Sequence, residues 1–132
     1  GRMKGGVEHR VPLSGEALEI LEDLKGYDDD LIFPGSQRGK PLSDMSLSAV
    51  LKRLNVPVTV HGFRSTFRDW VGECTTTPRE IAEMSLAHSV GTAVEKAYAR
   101  SDLFEKRKLL MERWGAYCSS RSAEVVQLSS TR

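Results

Sequence analysis

Five helix-start signals punctuate this chain of 132 residues, and between them apolar residues recur at helical spacing. Ser14 stands ahead of Ala17, Leu18, Leu21 and Leu24, a stripe closed by Gly26. Ser43 precedes Leu47, Val50, Leu51 and Leu54, and Asn55 and Pro57 end that run. Thr77-Pro78-Arg79-Glu80 reads as a capping box with proline at the first helical position. Thr92-Ala93-Val94-Glu95 and Asp102-Leu103-Phe104-Glu105 repeat the pattern. A further helix begins near His61, with Phe63, Phe67, Trp70 and Val71 on one side and His61, Arg64, Ser65 and Arg68 on the other. The spacing predicts helices over 14–25, 43–54, 61–72, 78–86, 92–99 and 102–118. The last gathers Leu103, Leu110, Trp114 and Tyr117 within about 60° of arc, a stripe to be buried. The fold is therefore mainly α.

One segment breaks the helical pattern. Val7 to Leu13 alternates apolar and polar residues, the period of a half-buried strand, and Gly5-Gly6 ahead of it is a hairpin turn signal. This predicts a small β-hairpin or sheet remnant whose partner strand is largely missing. An acidic turn at Asp28–Asp30 leads into a short extended piece, Leu31 to Pro34, and then a loop from Gly35 to Pro41. Beyond Cys118 the chain turns Ser/Thr-rich and loses periodicity, so 119–132 reads as a flexible tail on a domain of 1–118. The clipped hairpin, with Gly1 rather than Met at the start, leads us to expect a piece of a longer protein.

Composition narrows the function. Nineteen basic against 18 acidic residues give a net charge of +1, which argues against nucleic-acid binding by bulk charge and requires a local basic face. The chain carries −1 through residue 60 and +2 after it. Two cysteines, Cys74 and Cys118, are too few for a disulfide framework and suit a reducing compartment. No apolar run approaches the ~18 residues of a membrane span, and no signal peptide is visible, so a soluble, cytoplasmic protein is expected.

The residues able to carry chemistry begin at His61-Gly62-Phe63-Arg64. This spacing puts an imidazole and a guanidinium one helical turn apart on a polar face. Both suit one phosphate: the guanidinium grips its oxygens bidentately and the imidazole hydrogen-bonds or moves a proton. By itself the spacing is also what a solvated amphipathic face would show. His88 follows in Leu86-Ala87-His88-Ser89, and Tyr98 lies ten residues beyond it. On the residues alone, His88 could be a satisfied loop histidine and Tyr98 could cap the core edge of its helix. A metallohydrolase built on His9, His61 and His88 is opposed by the lack of any H-x-x-x-H pair or suitably spaced carboxylate.

The order His-x-x-Arg, Leu-x-His, Tyr, with the run H-G-F-R-S-T-F-R-D-W and Lys4 ahead of V-P-L, resembles the tyrosine recombinase (phage integrase) family. The likeness runs from about Arg2 to Cys118 and is nearest to integrases of prophages and genomic islands. It implies the catalytic-domain fold of that family, without cofactor or metal. Tyr98 would be the nucleophile that leaves a 3′-phosphotyrosyl link and a free 5′-hydroxyl. Arg64 would hold the non-bridging oxygens, and His61 would exchange a proton with the tyrosine. Lys4 would be general acid for the departing 5′-oxygen, and His88 would bond the phosphate. Arg68, Arg10 and Lys96 would contact DNA, although Arg68 could instead pair with Asp69. The run Lys106-Arg107-Lys108 reads as a solvated face, with a DNA contact the alternative. The partners implied are double-stranded DNA at attachment sites and further copies of the full-length recombinase in a tetramer.

The chemistry is coherent on general grounds. A phenol titrates near 10 and needs a nearby base or cations to attack at neutral pH. A pentavalent phosphorane formed without metal needs several fixed cations and donors. Three departures from the family pattern stand out. The first of the family's two arginines falls ahead of Gly1, and Arg2 and Arg10 are misplaced to replace it. Ala87 occupies a position where glycine is commoner, and the interval from His88 to Tyr98 is one residue longer than in many members. A DNA-binding module without catalysis is the alternative reading for this segment taken alone.

Overall fold

The computed structural model describes residues 9–88, 91 and 101–120. Among these residues the chain forms five helices: α1 (Gly15–Asp23), α2 (Ser46–Arg53), α3 (Gly62–Cys74), α4 (Arg79–Ser85) and α5 (Phe104–Ser119). The helix expected over 92–99 lies outside the described residues.

Helix ends follow local chemistry. Ser14 caps α1 by accepting from the Ala17 N–H at 3.3 Å. Asn55 takes a positive φ of 53° after α2, and the Val56 and Asn55 amides return to the Leu51 and Lys52 carbonyls. That is the left-handed closing turn that asparagine tolerates better than most residues. Two expected caps form differently. Ser43 accepts from the Met45 N–H at 3.3 Å, one turn before α2 begins. The Thr77–Glu80 box does not close: Pro78 holds the cap position with no side-chain bond. The Thr77 amide instead donates to Thr75 Oγ1 at 3.1 Å.

The core lies where α3, α4 and α5 meet. It consists of Phe67, Trp70 and Val71 from α3, Ile81 and Ala82 from α4, Leu86, and Leu110 from α5. Fully burying an aliphatic or aromatic side chain is worth roughly 1.5–3 kcal/mol, so among the described residues this set is the main apolar contribution, with Leu103, Met111 and Trp114 packed against it. Trp114 meets Phe67 edge-on at 5.4 Å and lies 5.0 Å from Trp70, and Tyr117 stacks on Trp114 at 5.5 Å. The α5 stripe is thus largely as expected, although Leu103 falls just before the helix, and Tyr117 is half exposed. Gly115 lets α5 lie against the start of α1, because a Cβ there would sit 2.7 Å from the Ser14 Cβ. Glu112 adds to that junction by accepting from the Gly15 N–H at 3.1 Å.

The structure departs from the sequence pattern in three places. The stripes on α1 and α2 carry no buried residue among the described ones: Leu18, Leu47 and Leu54 are exposed, as is Phe63 on α3. A helical period records which face is apolar, not whether another element arrives to cover it. Residues 9–13, the described part of the expected strand, belong to no strand. The sole β-type pairing among the described residues is the bridge of Pro34 with Pro41, which closes the 31–41 region into a narrow loop. Arg107, expected on a solvated face, is buried at 1% exposure. Its guanidinium donates to the Arg10 carbonyl at 2.7 Å and to the Asp102 carbonyl at 2.8 Å, tying residue 10 to α5 without a strand.

Candidate active site

The polar side of α3 and the C-terminal turn of α4 face one another because their apolar sides share the core. Phe67, Trp70 and Val71 point inward, which leaves His61, Arg64, Ser65 and Arg68 on the opposite arc of the helix. Ile81 and Ala82 bury the neighbouring side of α4. Between them lies a pocket of about 210 Å³ lined by residues that include His61, Arg64, Arg68, Glu83 and His88. Two larger hollows lie along Leu21–Ile32 and Gly35–Ser46, and neither is lined by a histidine or an arginine.

How His88 reaches the pocket is a matter of backbone closure. The His88 amide bonds to the Glu83 carbonyl at 2.9 Å and the Ala87 amide to the Met84 carbonyl at 3.1 Å, a Schellman turn that stops α4. Ala87 pays for this turn with a φ of 55°. A Cβ is disfavoured there by about 1 kcal/mol, which gives a physical reason why glycine is the commoner residue at this point. Ala87→Gly is expected to raise stability by about 1 kcal/mol or slightly less, read as an increased urea midpoint at unchanged slope. An unchanged or lower midpoint would show that the turn is not strained.

The side chains then interlock. Arg64 Nη2 donates to the Leu86 carbonyl and lies 3.0 Å from His88 Nε2. His88 Nδ1 lies 2.6 Å from Glu83 Oε2, and Arg68 Nε donates to Glu83 Oε1 at 2.7 Å. Arg79 Nε stands 3.8 Å from the same carboxylate oxygen. The hydrogen bonds from His88, and then from Arg68, hold the Glu83 carboxyl below its ordinary pKa. His61 sits at the N-cap of α3, exposed, with no capping bond from its side chain.

The pocket holds His61 and Arg64, which helical spacing puts on one face, together with His88 and Arg68. The partner of Arg68 is Glu83 across the helix pair rather than its neighbour Asp69. Arg10 lies elsewhere: it pairs with Asp102 at 2.8 Å and stacks over the Phe104 ring. His9, within the segment expected to form a strand, is half-buried in that second cluster. Burial, then the Arg107 charge, pushes its pKa down. Lys4, Lys96 and Tyr98 lie outside the described residues. Among the described residues no three His, Cys, Asp or Glu side chains are placed to hold a metal ion. Sequence reasoning missed Glu83. The available signal was a carboxylate in the apolar run Ile81-Ala82-Glu83-Met84, five residues before a candidate histidine.

Such a pocket offers a fixed guanidinium and two imidazoles at a mouth open to solvent, the equipment to bind and polarise an oxyanion rather than to enclose an apolar ligand. No helix among the described residues is long and apolar enough to cross a membrane. Comparison with known proteins identifies the family. The chain is 36% identical to the prophage integrase IntA of Escherichia coli (strain K12) over 118 residues, 86% of this chain and 28% of that protein. It is 31% identical to the integrase of Enterobacteria phage P4 over 134 residues, 96% of this chain and 30% of the phage protein. The integrase of Shigella phage Sf6 is 27% identical over 125 residues, 90% of this chain and 32% of its own length. The chain thus spans about three-tenths of the length of these curated relatives. No solved structure gives a significant match. Residues 1–104 match the phage integrase family, and on that match the chain belongs to the phage integrase family of tyrosine recombinases.

Proposed function

We propose that this chain is the C-terminal part of the catalytic domain of a site-specific DNA recombinase. The full-length protein would cut and rejoin double-stranded DNA at attachment sites to integrate or excise a mobile element. It would act as a tetramer in the bacterial cytoplasm. The observation that carries the reading is the convergence of His61, Arg64 and His88 on one pocket in a chain of this family.

In this reading Tyr98 attacks the scissile phosphorus, forming a 3′-phosphotyrosine bond as the bond to the 5′-oxygen breaks. Arg64 neutralises charge building on the non-bridging oxygens, anchored by the Leu86 carbonyl and positioned against His88. His88 bonds the same phosphate, and His61 takes the phenolic proton. Lys4 delivers a proton to the departing 5′-oxygen. Arg68, its Nε held by Glu83, presents the rest of its guanidinium to the DNA backbone, with Lys96 beside the nucleophile in sequence. Resealing reverses these steps and needs no nucleotide cofactor, because the aryl phosphodiester conserves the bond energy.

The test is covalent capture. The full-length recombinase that contains this segment, incubated with a labelled, nicked suicide substrate, should yield a protein–DNA adduct on denaturing electrophoresis. Tyr98→Phe should abolish it, since no phenolic oxygen remains. Of the other two tyrosines, Tyr117 is stacked on Trp114, half exposed, and Tyr27 follows α1; neither lines the pocket. An adduct that survives Tyr98→Phe would move the nucleophile to another residue and sink the assignment. DNA binding with no adduct in the unmodified protein would leave only a binding module.

A further inference from the structure

We infer that Glu83 is the positioning residue of this site: it fixes the tautomer of His88 so that Nε2, not Nδ1, is the ring atom offered to the pocket. The inference deepens the recombinase reading and rests on it for what Nε2 then contacts, but its geometric basis stands alone.

Glu83 is an ionised carboxylate and can only accept, so the 2.6 Å contact with His88 Nδ1 places a proton on Nδ1. A guanidinium can only donate, so the 3.0 Å contact of Arg64 Nη2 with His88 Nε2 requires a lone pair on Nε2. The neutral Nδ1–H tautomer alone satisfies both neighbours. Glu83 grips His88 a second time through the backbone, because its carbonyl accepts the His88 amide at 2.9 Å. Its other carboxylate oxygen is taken by Arg68 Nε at 2.7 Å, which links the carboxylate to α3 and stops it from swinging away. With a side chain only 18% exposed, Glu83 is shielded enough for these bonds to hold their geometry. The charged groups facing it are His88, Arg68 and, at 3.8 Å, Arg79. As the phosphate binds, Nε2 would take up a proton from bulk solvent and exchange its bond from Arg64 for one to a phosphate oxygen, with the Glu83 carboxylate offsetting the imidazolium charge. Fixing a ligand-facing imidazole through a carboxylate on its far nitrogen is a general device, and its loss costs on the order of 10–100-fold where it has been measured at metal sites.

Glu83→Gln separates tautomer control from mere structure. The amide has one acceptor oxygen for two donors, and Arg68 Nε–H is always a donor, so the NH₂ group is left facing Nδ1. Nitrogen-15 NMR of His88 in the 132-residue chain reports the tautomer directly, without DNA and without catalysis. The unmodified chain should show Nδ1–H, and Glu83→Gln should show a shift toward Nε2–H, while Glu83→Asp, which keeps a carboxylate, should retain more of the Nδ1–H form. An unaltered Nδ1–H signal in a folded Glu83→Gln variant would overturn the inference. So would an unmodified chain in the Nε2–H form. In the full-length recombinase, Glu83→Gln should slow adduct formation ~10–100-fold at little-changed DNA affinity, a split that a folding defect would not produce. Slowing matched by an equal loss of affinity would count against the positioning role. If the recombinase reading fails, no Tyr98 adduct forms in any variant while the tautomer difference persists, so the two failures are distinguishable.

Discussion

Arg107→Ala is expected to destabilise the chain by about 3 kcal/mol. Arg107 is 1% exposed and donates to the carbonyls of Arg10 and Asp102. Each lost bond counts for about 1 kcal/mol, and emptying the space of the buried stem adds a comparable amount. The ion pair with Asp102 is left out of that figure because solvent reaches the carboxylate, whose acidity is already increased chiefly by its bond from Arg10. Urea unfolding followed by tryptophan fluorescence measures the change. Arg107→Lys should recover less than half, since an ammonium cannot bridge two carbonyls in the planar fork that a guanidinium provides. A loss under about 1 kcal/mol would mean that the segment around Arg10 is held to α5 by something else.

Arg64→Ala is expected to lower the rate of adduct formation by about 10²–10³, the cost of deleting one preorganised donor to a developing oxyanion. Its guanidinium is anchored before substrate arrives by the Leu86 carbonyl, a bond that stays when His88 turns to the phosphate, so little reorganisation is left for the transition state. The loss should fall on the chemical step, and single-turnover kinetics on the suicide substrate would separate it from binding. Arg64→Lys should restore only part of the rate, because a point charge cannot hold both the carbonyl and the phosphate. Should Arg64→Ala form adduct at the unmodified rate, the phosphate would have to be held by other cations.

The two expectations rest on different depths of reading. His61 and Arg64 were legible from spacing alone, since three residues of helix put both on one face. Glu83 was not. Its importance depends on α4 packing beside α3, and on a left-handed Ala87 that turns the chain back over the carboxylate. Arg107 misled for the same reason: between two lysines it has the sequence signature of a solvated run, yet it points into the junction with residue 10.

Local rules by themselves determined the positions of all five described helices to within a few residues, because capping, stripe and breaker chemistry act over one or two turns. They also determined that an imidazole and a guanidinium share a polar face. Only the tertiary structure decided which apolar stripes are buried. Those of α3, α4 and α5 close on one another around Trp70 and Trp114, whereas those of α1 and α2 have no buried residue among the described ones. It alone decided that Glu83 stands between Arg68 and His88. Burial and long-range pairing depend on which elements meet, and that is settled by the shared core of the helices rather than by the period of any one of them.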